Sequence, residues 1–187
     1  MTSKERFLAA LSLQKTDHLT ATTHHLMGTY LNDYENGISA DAFFDKYGLD
    51  PIRWLVPHTF DPSKNYYFDP TQGTVGLMGS RRIVSDDWRI EAVEIPGRQY
   101  KTIRYTIHTP GGDLTATTES NRYTTWLTEH LVKEKKDIEL IAKYATAPWC
   151  DVEAVNKAAE EYGQRGLIRG HICGFDPFGQ PGVWQDA

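Results

Sequence analysis

Apolar residues recur at helical spacing in four segments of the chain. The first segment begins at Thr2-Ser3-Lys4-Glu5, a capping-box pattern in which a hydroxyl precedes a carboxylate by three residues. Phe7 and Leu11 then fall on one helical face, and the helix is expected to end near Leu13. The other three helices are expected at residues 39–47, 135–144 and 151–162.

Short segments with strand-like composition lie between these helices. They are residues 18–23, which are rich in threonine, residues 52–56, which are apolar, and residues 166–174. His24-His25 follows the first of them, and Pro57 with His58 follows the second. Helices that alternate with short strands are typical of βα units, so this part of the chain predicts a parallel sheet.

The middle of the chain has a different period. Residues 89–95, 99–107 and 114–118 alternate between apolar and polar side chains, and glycine- and proline-containing turns separate them. This pattern predicts an antiparallel β-meander at roughly residues 80–120, inserted into the α/β pattern. An open set of three parallel strands would leave an edge and apolar faces uncovered. We therefore expect residues 1–187 to form a single, incomplete domain.

Three segments resemble the uroporphyrinogen decarboxylase superfamily. Lys4-Glu5-Arg6-Phe7-Leu8-Ala9-Ala10-Leu11 resembles the first helix of the family, and residues 27–34 resemble the motif after its first barrel strand. Residues 170–178 resemble a strand and loop found midway along family members. The middle, with Thr109-Pro110-Gly111-Gly112, Trp126 and Lys133, looks like the meander of the methyltransferase-like branch.

This resemblance implies an α/β fold, namely the N-terminal part of a TIM-type (β/α)8 barrel that carries the meander as an insertion. Family members are roughly twice as long, so this chain would supply about the first three strands and would be inactive without the C-terminal half. The methyltransferase-like branch moves a methyl group between a corrinoid and a thiol. Its zinc ligands lie in the second half of the barrel, so the resemblance implies a corrinoid or corrinoid-protein substrate and no metal bound by this chain.

Two positions depart from the decarboxylases of this superfamily. Those enzymes hold substrate carboxylates with two arginines, whose guanidinium groups form paired hydrogen bonds. The matching positions here are His25 and Thr29, and the family's substrate-binding aspartate falls near Pro57 or His58. Corrinoid-linked methyl transfer is therefore the preferred expectation. The alternatives are a uroporphyrinogen-type decarboxylase, a non-catalytic module, or half of a split enzyme that a second chain completes.

The candidate ligand-binding residues follow predicted strand ends or belong to the family-like motifs, because barrel enzymes bind their ligands at the C-terminal ends of strands. They are His25, Tyr30, His58, Asp176, Phe178 and Trp184. Each has a structural alternative: a packed or solvated histidine, an aromatic core residue for the rings, and a loop or N-cap role for the aspartate. No catalytic residue is identified.

His171-Ile172-Cys173 is a His-x-Cys pair on a predicted strand, where residues two apart face the same side. It lies away from the family's zinc site, and Cys150 precedes a helix, so packing inside a barrel is the preferred interpretation. The two cysteines form no close-spaced motif, which is typical of a reduced compartment.

Composition narrows the class of protein. The chain has 187 residues, 40% of them hydrophobic, which is enough for a packed core. Its net charge of −5 argues against nucleic-acid and anionic-membrane partners, which attract clusters of Lys and Arg. No run of about 18 apolar residues and no signal-peptide core is present. We therefore expect a cytoplasmic protein.

Overall fold

The computed structural model describes residues 1–23, 26–55, 58–70, 83–147 and 149–170, with the side chain of His58 excepted. The helices in these ranges are α1 (Ser3–Leu11), α2 (Gly28–Tyr34), α3 (Ala40–Tyr47), α4 (Lys135–Tyr144) and α5 (Val152–Tyr162). The strands are β1 (Ile52–Leu55), β2 (His58–Thr59), β3 (Tyr66–Phe68), β4 (Ile83–Ser85), β5 (Arg89–Ile95), β6 (Lys101–Thr109), β7 (Gly112–Ser120), β8 (Thr125–Glu129), β9 (Trp149–Cys150) and β10 (Leu167–Gly170).

The described residues form a mixed α/β structure with four small sheets and no closed barrel. Strands β1 and β10 pair in parallel, β2 pairs with β9 and β3 with β4, and β5 to β8 form an antiparallel sheet in chain order. The predicted α/β class with an antiparallel meander is confirmed, whereas the N-terminal part of a TIM-type barrel stays a prediction. None of the described helices is long and apolar enough to cross a membrane.

The chain divides into two compact units. The first contains Met1–Pro57 and Asp151–His171, and the second contains His58–Cys150. The second unit is therefore inserted in sequence between two parts of the first, and it contains the meander.

Helix α1 begins at the predicted capping box. The Glu5 backbone N–H donates to the Thr2 hydroxyl at 3.1 Å, and the Thr2 N–H donates to the Glu5 carboxylate at 2.7 Å. The helix ends at Leu11 rather than near Leu13, because Leu13 adopts a left-handed conformation with φ of 56°. Arg6, Phe7 and Ala9 are buried, and Arg6 forms ion pairs with Asp17 and Asp50.

The strand predicted at residues 18–23 is not formed, and this prediction was wrong in its detail. The segment nevertheless runs beside the residue that precedes β1: the Asp50 N–H donates to the Ala21 carbonyl at 2.7 Å. The Ala21 N–H donates to the Asp50 carboxylate at 3.1 Å rather than to a backbone carbonyl. A side chain thus substitutes for a ladder partner, which accounts for the missing strand.

The helices predicted beside the parallel pair are present. Helix α3 is capped by the Ser39 hydroxyl and stops at Gly48, whose φ of 61° suits glycine. Helix α5 is capped by the Asp151 carboxylate and ends at Tyr162. The strand predicted at 166–174 is observed as β10, and its predicted part after Gly170 lies outside the described residues.

The second unit has its core beneath one face of the meander. Ile103, Tyr105 and Ile107 of β6 point to the same side and are almost fully buried, as period-two alternation requires. They pack with side chains of β7, with Trp88 and with Ile141 of α4. The sheet extends from Arg89 to Glu129, beyond the predicted limit near residue 120, because β8 adds to β7 after a register shift.

Candidate ligand-binding face of the parallel strand pair

The parallel pair of the first unit is where an α/β protein of this kind would bind a ligand. Ile52 lies opposite Leu167 and Leu55 lies opposite Gly170, so both strands run towards the same edge. Ligands in such folds bind at the C-terminal ends of parallel strands. Two of the predicted site segments, at residue 58 and at residues 176–184, follow these two strand ends in sequence.

One face of this pair is covered by helices. The Arg53 guanidinium lies over the Tyr162 ring of α5, 4.3 Å from its centroid, and donates to the Asp41 carboxylate of α3 at 2.6 Å. The Tyr162 hydroxyl also donates to Asp41, at 3.2 Å. Burial raises the pKa of Tyr162, and the charge of Asp41 adds to this effect. The Arg53 side chain therefore contacts both helices and its charge is paired, and about half of the side chain remains exposed.

The opposite face carries the alternate residues of the two strands. Ile52 pairs with Leu167 in one row, and Trp54 pairs with Arg169 in the next. The Arg169 guanidinium lies 4.1 Å from the centroid of the Trp54 ring. Arg169 is exposed and forms no ion pair with any residue that the structure describes, whereas the other three side chains are half-buried.

The close approach of the two strands depends on Gly166. The Leu167 N–H donates to the Pro51 carbonyl at 3.2 Å, which begins the pairing. A Cβ atom at position 166 would lie 2.0 Å from that same carbonyl oxygen. No side chain fits in this space, so glycine is required for β10 to start beside β1.

A buried ion pair anchors the start of β1. Arg6 and Asp50 form a charged hydrogen bond, and both side chains are less than a tenth exposed. Arg6 also binds Asp17 at 2.7 Å, and this hydrogen bond holds the pKa of Asp17 well below its usual range. Since Asp50 directly precedes Pro51 and β1, these contacts fix the strand relative to α1 and to residue 21.

Tyr30 lies in a separate cluster that joins α2 to α3. Its centre is the Glu35 carboxylate, 4% exposed, which accepts from Lys46 and from the Tyr47 hydroxyl, both at 2.6 Å. The Tyr30 hydroxyl is 3.5 Å from the same carboxylate, and its ring packs on Phe43. The hydrogen bond from Lys46, followed by that from Tyr47, lowers the pKa of Glu35. Both carboxylate oxygens thus have partners within the cluster, which suits a structural role.

The second unit has a polar sheet face with two further clusters. His108 of β6 lies between two carboxylates, with Nδ1 3.0 Å from Asp113 and Nε2 3.2 Å from Glu91. The hydrogen bond to Glu91, followed by that to Asp113, raises the pKa of His108. Beside it, the Glu129 carboxylate accepts from the hydroxyls of Thr115 and Thr117, both at 2.6 Å.

Lys133 completes the Glu129 cluster, with its Nζ 2.9 Å from the carboxylate. Burial would raise the pKa of Glu129, but the hydrogen bonds from two threonines and Lys133 outweigh it and lower the pKa to about 2. A groove of about 340 Å³ lies beside these groups at the start of α4. Its charged lining residues already have partners: Asp113 with His108, Lys133 with Glu129, Glu134 with Lys136, and Asp137 with backbone N–H groups.

The structure describes two of the predicted site residues. Tyr30 belongs to the Glu35 cluster, and His58 lies in β2 with its backbone paired to Cys150. The remaining predicted residues, together with the His-x-Cys pair at 171–173, lie outside the described residues: His25, Asp176, Phe178 and Trp184. Among the described residues, no group of three or more His, Cys, Asp and Glu side chains could hold a metal ion.

Sequence reasoning missed Trp54 and Arg169. A signal was present, since an arginine interrupts each of the short apolar stretches Ile-Arg-Trp-Leu and Leu-Ile-Arg-Gly. A charge within a strand expected to be buried on both faces requires a partner or a ligand. Arg53 has its partner in Asp41, which leaves Arg169 as the unexplained charge of this pair.

Comparison with known proteins gives no independent assignment: no protein-family model, no curated protein and no solved structure shows significant similarity to this chain.

Proposed function

We propose that this chain forms the N-terminal part of a uroporphyrinogen decarboxylase-like barrel, in an enzyme of corrinoid-linked methyl transfer. The observation that supports the barrel is the order of three segments in the first unit. Asp50 and Pro51 are the two residues that precede β1. The first is hydrogen-bonded to residue 21, and the second is hydrogen-bonded to Leu167 of β10. The three segments that were expected to form the first three strands thus lie side by side in chain order.

The positions of the helices agree with this proposal. Helix α3 precedes β1, helix α5 precedes β10, and both contribute side chains to the Arg53 face of the parallel pair. In a βα barrel, successive strands are neighbours, and the helices cover the outer face of the strands. The Arg53 face would therefore be the outside of the barrel wall, and the Trp54 face would be the inside.

The exposure of the Trp54 face supports completion by further strands. Parallel strands are normally buried on both faces. Ile52, Trp54 and Leu167 are only half-buried here. Strands from a partner chain or from a longer polypeptide would cover them, as the interior layers of a TIM barrel do.

The choice of methyl transfer over decarboxylation rests on the residues at the family-like motif. His25 and Thr29 stand where the decarboxylases carry arginines, so the paired hydrogen bonds needed for a polycarboxylate are absent from these positions. A corrinoid would be the methyl donor and a thiol the acceptor. The described residues bring together no metal-binding cluster, so no step of thiol activation is assigned to them.

The test uses the natural assembly that contains this chain, purified from its source through an affinity tag on the chain. We expect a complex or longer product that transfers methyl groups from methylcobalamin to 2-mercaptoethanesulfonate, measured by the change in cobalamin absorbance. A mock purification from cells in which the chain carries no tag should be inactive. Decarboxylation of uroporphyrinogen without methyl transfer would overturn the proposed reaction. A monomer of this chain alone, with neither activity, would overturn the barrel proposal as well.

A further inference from the structure

The two arginines of the parallel pair have opposite surroundings. Arg53 is held by the Asp41 carboxylate and by the ring of Tyr162. Arg169 contacts the Trp54 ring, and it pairs with no carboxylate among the residues that the structure describes. The two side chains project from opposite faces of the same two-stranded sheet, since position 169 lies in register with Trp54 and not with position 53.

Arg169 has hydrogen-bond donors that no described carboxylate binds. A guanidinium carries five N–H donors in its plane and no acceptor. A cation–π contact holds this group 4.1 Å from the centroid of the Trp54 ring. The donors along one edge of the planar group can bind a ligand, because no described carboxylate pairs with them. Such an edge matches two oxygens of a carboxylate or a phosphate.

The neighbouring row provides apolar surface. Ile52 and Leu167 lie two residues before Trp54 and Arg169 on the same face, at a separation of roughly 7 Å along the strands. Both are half-buried. A ligand that places an anionic group at Arg169 would therefore lay its body over apolar side chains.

We propose that Arg169, positioned by Trp54, binds an anionic group of a ligand with an apolar body. The anionic group is either a carboxylate or a phosphate ester. The assignment of this face to the inside of a barrel rests on the proposed function. Inside a barrel an unpaired guanidinium would lose its hydration, which is costly unless an anion binds to it. Trp54 and Arg169 lie in the C-terminal half of the described part of each strand, and barrel enzymes contact their substrates towards the C-terminal side of their strands.

The experiment titrates the purified chain with three probes that share a naphthalene body: 1-naphthoate, 1-naphthyl phosphate and neutral 1-naphthalenemethanol. Binding is followed by NMR through the indole N–H signal of Trp54, which the Trp54→Phe variant identifies. We expect both anions to shift this signal. The affinities of 1-naphthoate and 1-naphthyl phosphate show whether the site prefers a carboxylate or a phosphate. The neutral probe should bind about tenfold more weakly than the better anion.

Three variants test the role of Arg169. Arg169→Met retains the stem on Trp54 but loses the charge, and it should weaken the preferred anion about tenfold. Arg169→Lys keeps the charge but cannot form paired hydrogen bonds, so its affinity for the preferred anion should lie between those of wild type and Arg169→Met. Arg104→Met is the matched control, because Arg104 is an exposed strand arginine of the second unit with no ion pair among the described residues. It should leave binding unchanged.

Several results would overturn the site. One is that neither anion shifts the Trp54 signal at millimolar concentration. Another is that the neutral probe binds as tightly as the anions. The third is that a folded Arg169→Met variant binds the preferred anion with wild-type affinity. Circular dichroism spectra establish that each variant is folded. Failure of the proposed function is distinguishable, because it would appear as a missing methyl transfer or a missing assembly, while Arg169-dependent anion binding by the chain would persist.

Discussion

Gly166→Ala should disrupt the parallel pair that supports the proposed site. The new Cβ would lie 2.0 Å from the Pro51 carbonyl oxygen, 3.0 Å from its carbon and 3.1 Å from Cε1 of Tyr162. An ordinary carbon–oxygen contact is about 3.3 Å, so the β10 backbone must move by about 1.3 Å. The obstacle is backbone rather than the tip of a flexible side chain, so the strands themselves have to separate.

The expected loss follows from two contributions. Overpacking of this kind costs about 1 to 3 kcal/mol, and the Leu167-to-Pro51 hydrogen bond at the clash contributes about 1 kcal/mol more. The reduced freedom of alanine in the unfolded chain returns about 0.5 kcal/mol, since the extended backbone at Gly166 is accessible to alanine. The net loss of unfolding free energy should be about 1.5 to 3.5 kcal/mol.

The assay combines urea unfolding with hydrogen exchange at the Leu167 amide, because exchange reports the first unit even when the two units unfold separately. Gly28→Ala is the matched control: no atom lies within 4 Å of its Cβ, and a small stabilisation of α2 is expected. Gly111→Ala meets the flexible end of Leu140 and should cost less than Gly166→Ala. Unchanged urea stability with full protection at Leu167 in Gly166→Ala would refute the reasoning.

Three further substitutions test the clusters around these elements. Asp50→Asn should cost about 2 kcal/mol in urea unfolding, because it removes one of the two carboxylates that pair with the buried Arg6 guanidinium, and a loss below 1 kcal/mol would contradict its role. The pKa of His108 is raised in the folded state, so wild type should be more stable than His108→Gln below about pH 6.5. This advantage should disappear as the pH rises through the folded pKa. A difference that does not change with pH would contradict the pairing of His108 with the two carboxylates. The folded pKa of Glu129 is about 2, so wild type should be more stable than Glu129→Gln by about 2 kcal/mol at every pH above 4.5. This stability difference should decline as the pH falls towards 2. A stability difference that grew on acidification would contradict the role of the Glu129 cluster.

Local signals account for the elements that the sequence predicted well. Helices α3 and α5 each have a side-chain cap at the start and a glycine at the end, and the meander has strict alternation with turn residues. Helix α2 was missed because it starts with Gly28 and has no capping side chain. It is held instead through the Glu35 contacts to α3, which are tertiary.

The same limit applies to the candidate site. The Trp54–Arg169 contact joins residues more than a hundred positions apart, and it exists only because β10 pairs with β1 in one register. A shift by one residue would place Arg169 on the helix-covered face. The sequence could therefore mark both strands as candidates for a site, but it could not select these two side chains.

The most direct test of the central claim is an experimental structure of the natural full-length assembly that contains this chain. The claim predicts a closed barrel in which residues 18–23, β1 and β10 are consecutive neighbours. A further parallel strand should pair with the edge of β10 that no described residue occupies, and Trp54 and Arg169 should face the interior. An assembly without a closed barrel, or one in which Trp54 and Arg169 face outward while Arg53 faces inward, would contradict it.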